Sequence, residues 1–190
     1  MVQTDTGQSH TWELAEDEVF EDLTPRLVRF STGGPVEVLT TVSSRSTGSR
    51  LVVLGFANDR LSLLSQSELV GVPMRWLNPV GVADLDGDGV SEVAAVVTPH
   101  VGGILTVYQK RGKDLVVLAE LPEFSNHLYG SPELAMSAAL NWDGTMRLLV
   151  PDIERTTLRV IALQGGALTE QGRCALRAPL TVPCVRKALI

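Results

Sequence analysis

The 190-residue sequence predicts an all-β protein, and three observations carry that prediction. Apolar residues fall in short runs, several of them alternating with polar ones, as strands do. Glycine, proline, asparagine and aspartate sit singly between the runs, where tight turns need them. The third observation is a fixed period, which marks a repeat architecture.

Gly34, Gly89 and Gly144 stand 55 residues apart. The same offset aligns Phe30 with Leu85 and Leu140, Val38 with Val93 and Leu148, and Glu37 with Glu92. After each glycine comes an apolar strand: Val36 to Val42, Glu92 to Val97, and Met146 to Val150. An alternating strand follows at Leu51 to Phe56, Ile104 to Gln109 and Leu158 to Leu163. Hairpin dipeptides come next: Asn58-Asp59, Arg111-Gly112 and Gly165-Gly166. Leu61 to Leu64, Leu115 to Leu118 and Leu168 to Gln171 close the units. A lead-in strand of small apolar residues precedes each glycine turn, as in Val80-Gly81-Val82-Ala83 and Ser137-Ala138-Ala139. Each repeat therefore holds four short strands, the layout of a β-propeller blade. The expected organisation is an acidic leader or blade-completing segment over 1–24, repeats at 25–70, 71–124 and 125–172, and a partial repeat at 173–190. Three repeats do not close a propeller. The chain is read as part of a longer array; the alternative is a ring that its terminal segments complete.

Composition excludes several classes. A net charge of −6 with no Lys/Arg cluster argues against a nucleic-acid binder. No apolar stretch is long enough for a transmembrane helix. Residues 1–7 are polar and lack the basic-then-apolar layout of a signal peptide. Cys174 and Cys184 read either as two reduced thiols or as a disulfide across a hairpin.

The most informative stretch is Asp84-Leu85-Asp86-Gly87-Asp88-Gly89-Val90-Ser91-Glu92. Calcium takes six to eight oxygen ligands, carboxylates and a backbone carbonyl among them. Alternate residues of a tight turn aim Asp84, Asp86 and Asp88 at one point. Gly89 brings the chain round, the Val90 carbonyl falls in range, and Glu92 closes the site. Four carboxylates this close repel without a cation. The other copies depart from this pattern. Arg29, Ser31 and Gly33 replace the aspartates in the first, and Ala139 and Arg147 stand where Asp84 and Glu92 stand in the third. One calcium is expected, not three.

Residues 82–94 resemble an FG-GAP/VCBS repeat, the unit of integrin α-subunit propellers and of many exported bacterial proteins. The resemblance covers 79–109 specifically, 133–163 less closely, and 25–56 weakly. It implies a propeller blade with a structural Ca²⁺ in the turn between its first two strands, and a periplasmic or extracellular location.

Blade topology places a second set of loops on the face opposite the acidic turn. Arg75, Trp76, His100, His127 and Tyr129 collect there, a group suited to a protein or carbohydrate ligand. The alternative is that the aromatics pack between blades and the histidines bond to loop backbone. No nucleophile elbow or close pair of metal-binding histidines appears. The sequence is thus read as a non-enzymatic, calcium-stabilised binding module. The alternatives are a propeller domain of a polysaccharide-acting enzyme such as a lyase, or a purely structural repeat of a larger surface protein.

Overall fold

A computed structural model describes residues 1–22 and 24–184. Every regular element among them is a β-strand, and no helix there is long and apolar enough to cross a membrane. The chain divides into two compact units, the first formed by Met1–Arg29, Gly33–Trp76 and Lys110–Val116. The second takes Phe30–Thr32, Leu77–Gln109 and the chain from Val117 onward.

In the first unit, β1 (Val2–Gln3) and β2 (Ser9–His10) form a small hairpin. β5 (Glu37–Ser44), β6 (Gly48–Ala57) and β7 (Arg60–Ser67) form an antiparallel meander. Leu39, Val42, Leu51, Val52 and Val53 are fully buried within it. Burial of side chains of this size contributes roughly 1.5–3 kcal/mol each, which is what holds the three strands together. Asn58 and Asp59 connect β6 to β7 with φ of 51° and 60°. Two left-handed residues are what a two-residue hairpin needs to match strand twist. The free edge of β5 takes two short strands in succession: β3 (Glu18–Phe20) lies beside Val42–Ser44, and β4 (Arg26–Val28) beside Glu37–Leu39. The acidic N-terminal stretch thus contributes a strand through residues 18–20.

Two runs of four neighbouring strands follow. β8 (Leu77–Ala83), β9 (Glu92–Val97), β10 (Ile104–Arg111) and β11 (Asp114–Pro122) lie in chain order. So do β12 (Ala138–Trp142), β13 (Thr145–Pro151), β14 (Thr157–Gln164) and β15 (Ala167–Ala175). The first of these runs is not a separate four-stranded sheet. The end of β10 and the start of β11 fall in the first unit, where Asp114 and Leu115 pair in parallel with Gln66 and Ser67 of β7. Val93 to Val96 of β9 are inaccessible on both faces, which explains their unbroken apolar run. Val80, Leu85, Val96, Leu105, Phe124, Leu148, Val150 and Ile161 join both sheets in one core. β8 approaches β12 so closely that a Cβ at Gly81 would lie 2.9 Å from the Ala139 Cβ. Small residues in the lead-in strands are therefore a packing requirement.

Two local expectations need correction. The β10–β11 hairpin turns at Gly112-Lys113 rather than Arg111-Gly112, because Arg111 is still in β10 and Gly112 takes the left-handed φ of 61°. The third copy of the glycine turn is also not a loop like that of the second. It is a two-residue hairpin, Asp143-Gly144, with Trp142 paired to Thr145.

Candidate functional site

The loop from Asp84 to Ser91 joins β8 to β9. Leu85 points into the core, so its neighbours on either side face outward. Asp84, Asp86 and Asp88 each place a carboxylate oxygen within 4.8 Å of the others. The loop's own amides hold them there. Asp84 accepts the N–H groups of Gly87 (2.8 Å) and Gly89 (2.9 Å), Asp86 that of Asp88 (3.1 Å), and Asp88 that of Val90 (2.7 Å). Gly89, at φ 89°, permits the reversal that presents these amides.

Glu92 starts β9 opposite Ala83 and is fully buried. Its Oε2 accepts the Leu85 N–H at 2.9 Å, while its buried Oε1 has no hydrogen-bond partner. Burial, followed by the nearby charges of Asp86, Asp88 and Asp84, pushes the carboxyl up to about 7, against the opposing Leu85 hydrogen bond. A buried carboxylate oxygen without a partner carries the full desolvation cost. A divalent cation held by the three aspartates would lower that cost through its charge. Half-buried Asp84 with exposed Asp86 and Asp88 is a donor set of the hard-oxygen type that calcium takes, and Glu92, outside their 4.8 Å group, adds an orphaned buried oxygen nearby. The residues present therefore fit the ion.

A second feature of the loop was not anticipated. Residues 30–32 clip onto it: Ser31 forms an antiparallel bridge with Val90, and the Phe30 carbonyl accepts the Ser91 N–H at 2.8 Å. Phe30 is itself buried. By the 55-residue offset, Phe30 and Ser31 correspond to Leu85 and Asp86. The turn that lacks ligands in the first copy is used as backbone against the turn that has them.

Glu37 is the first-copy equivalent of Glu92 and is also buried. Lys110 Nζ donates to both of its oxygens, at 2.7 and 2.6 Å. The first copy thus meets its buried carboxylate with an ammonium group. In the third copy Arg147 is an inner-strand residue of β13 paired with Leu140, and no buried acid needs compensation there.

The predicted ligand-face residues divide between the units. Arg75 and Trp76 belong to the first, where the Arg75 carbonyl accepts both the N–H and the Oγ–H of Ser49. His100, His127 and Tyr129 come together in the second. His100 Nε2 lies 2.7 Å from His127 Nδ1, and His127 Nε2 lies 2.8 Å from the Ser131 carbonyl. A carbonyl only accepts, so His127 carries a proton on Nε2, and the bond between the two rings joins His127 Nδ1 to His100 Nε2. The Tyr129 ring stands edge-on to His100 with centroids 5.5 Å apart, and it is 83% exposed. His127 is 7% exposed. Arg155 reaches the same loops: its Nη1 donates to Ser125 Oγ, which in turn donates to the His127 carbonyl. Burial, then His127, then Arg155 lower the His100 pKa.

Both cysteine thiols are free. Cys184 is half-buried, and burial pushes its thiol up to about 11. No protein-family model matches the chain, and no curated protein matches it.

Proposed function

We propose that the chain is a non-catalytic, calcium-stabilised repeat module of the β-propeller type, which presents loops to a protein or carbohydrate ligand at the cell surface or in the periplasm. The observation that carries this reading is the loop 84–92. Three convergent aspartates there stand beside a buried glutamate whose second oxygen has no partner. Asp84, Asp86, Asp88 and Glu92 would hold the ion, with the Val90 carbonyl as a further donor. Bound calcium supplies positive charge and oxygen coordination, and its role is to fix the loop. One separate four-stranded meander, β12–β15, packed through small inner-strand residues against the chain-ordered run β8–β11, supports the propeller reading.

The test is thermal melting with calcium and with EGTA. Chelation should lower the Tm of the wild type, and Asp86→Ala should abolish the difference. Identical melting of the wild type in both conditions would remove the ion from the account. The competing reading, an enzyme acting on polysaccharides, draws on the hydrogen-bonded His100–His127 pair. It predicts unsaturated sugar products that disappear in His100→Ala.

A further inference from the structure

We propose that Arg155, His100 and Tyr129 form a binding site for a carboxylate-bearing saccharide, a uronic-acid unit of an acidic glycan. The proposal rests on the reading of the chain as a binding module, and it does not depend on the metal.

Arg155 is the unusual residue. Its backbone has φ 60°, a left-handed conformation that a long side chain adopts only when its surroundings impose it. The turn that imposes it is closed by the Arg155 N–H on the Asp152 carbonyl at 2.9 Å. The Asp152 carboxylate does not answer the guanidinium. It accepts the N–H groups of Thr156 and Thr157 instead, at 2.8 and 3.1 Å. The guanidinium is half-buried, gives Nη1 to Ser125 Oγ, and leaves a buried Nε without a hydrogen-bond partner. The ion pairs of the described residues use Arg26, Arg50, Lys110, Arg159 and Arg173, and none pairs Arg155. In a chain with net charge −6, a partly desolvated guanidinium without an acid is a place prepared for an external one.

The neighbours fit a carboxylate on a sugar. His100, bonded through Nε2 to His127, stands within electrostatic reach of the Arg155 guanidinium. Tyr129 offers an exposed ring beside these polar groups, the arrangement that holds the apolar face of a pyranose. Peptides are usually captured along a sheet edge or in a groove. These residues instead lie on turns at 98–101, 128–131 and 152–155. That favours the saccharide.

The experiment is isothermal titration of the calcium-loaded full chain with trigalacturonate, with uncharged galactotriose, and with an acidic peptide of equal charge. Trigalacturonate should bind at least tenfold more tightly than either of the others. Arg155→Gly should weaken it at least tenfold without lowering the Tm, because glycine accepts the positive φ. Tyr129→Ala should weaken it several-fold. The proposal is overturned if trigalacturonate does not bind, if galactotriose or the peptide binds as well, or if Arg155→Gly changes nothing. An EGTA melt of the same samples reads the metal separately. Lost saccharide binding with an intact EGTA shift sinks this site alone, and retained binding with no EGTA shift sinks the metal alone.

Discussion

Glu37 and Glu92 stand 55 residues apart, each the first residue of a strand and each buried. Lys110 meets the first with two hydrogen bonds. Three aspartates lie near the second, and one of its oxygens has no hydrogen-bond partner. A buried carboxylate is tolerated only with a compensating charge. The first copy carries that charge covalently, on a lysine. Under the proposed calcium reading, the second would recruit one from solution through the adjacent aspartates. The two buried acids thus differ in what stands beside them, an ammonium group in one case and three carboxylates in the other.

The comparison breaks most readily at Lys110. Lys110→Met leaves Glu37 buried without its cation, and removing one partner of a buried pair costs roughly 3–5 kcal/mol. Urea denaturation should show that loss equally in calcium and in EGTA. If added calcium rescues the variant, Glu37 belongs to the metal site and the two copies are not independent. Next in size is the metal itself. An ion at about a hundred times its Kd stabilises by roughly 2.7 kcal/mol. Calcium should raise the unfolding free energy of the wild type by about that much, and of Asp86→Ala not at all.

The third effect concerns pH. The Glu92 carboxyl lies near 7 in the folded chain, above its ordinary value of 4.5. Between those values the folded state holds the extra proton, so without metal stability falls as pH rises through that window. In EGTA the wild type should lose on the order of 2 kcal/mol between pH 4.5 and pH 7 through this group. Glu92→Gln keeps an acceptor for the Leu85 N–H and should flatten that slope, while losing the response to calcium. A slope unchanged in Glu92→Gln would assign the titration to another group.

Much of the fold was legible because strands and hairpins are local. Period-two alternation and the Asn58-Asp59 and Gly165-Gly166 turns located β6, β7, β14 and β15 to within a few residues. The acidic loop was legible for the same reason: its carboxylates lie within nine consecutive residues. The rest is non-local. Lys110 meets Glu37 across 73 positions, and His100 meets His127 across 27. No pattern in a single sequence announces such pairs. The clip of residues 30–32 on Val90 and Ser91 was hidden differently. Its residues had been read as a damaged copy of the loop, when they supply backbone to the intact one.

The smallest expected effect is a null, and it separates ligand identity from backbone path. Ala139→Asp with Arg147→Glu restores to the third copy the two acids that distinguish the second, beside Asn141 and Asp143. If residue types alone made the site, the double variant would bind a second calcium. The backbone argues otherwise. Ala139 and Asn141 lie in β12, paired with Leu148 and Met146, and the chain reverses at Asp143-Gly144. Alternate residues of a paired strand project from one face at about 7 Å intervals, whereas the loop of the second copy curls its aspartates to within 4.8 Å of one another. Calcium titration of the double variant should therefore keep the wild-type stoichiometry. A second equivalent would show that the hairpin opens readily into a loop, and that the copies differ in ligands rather than in path.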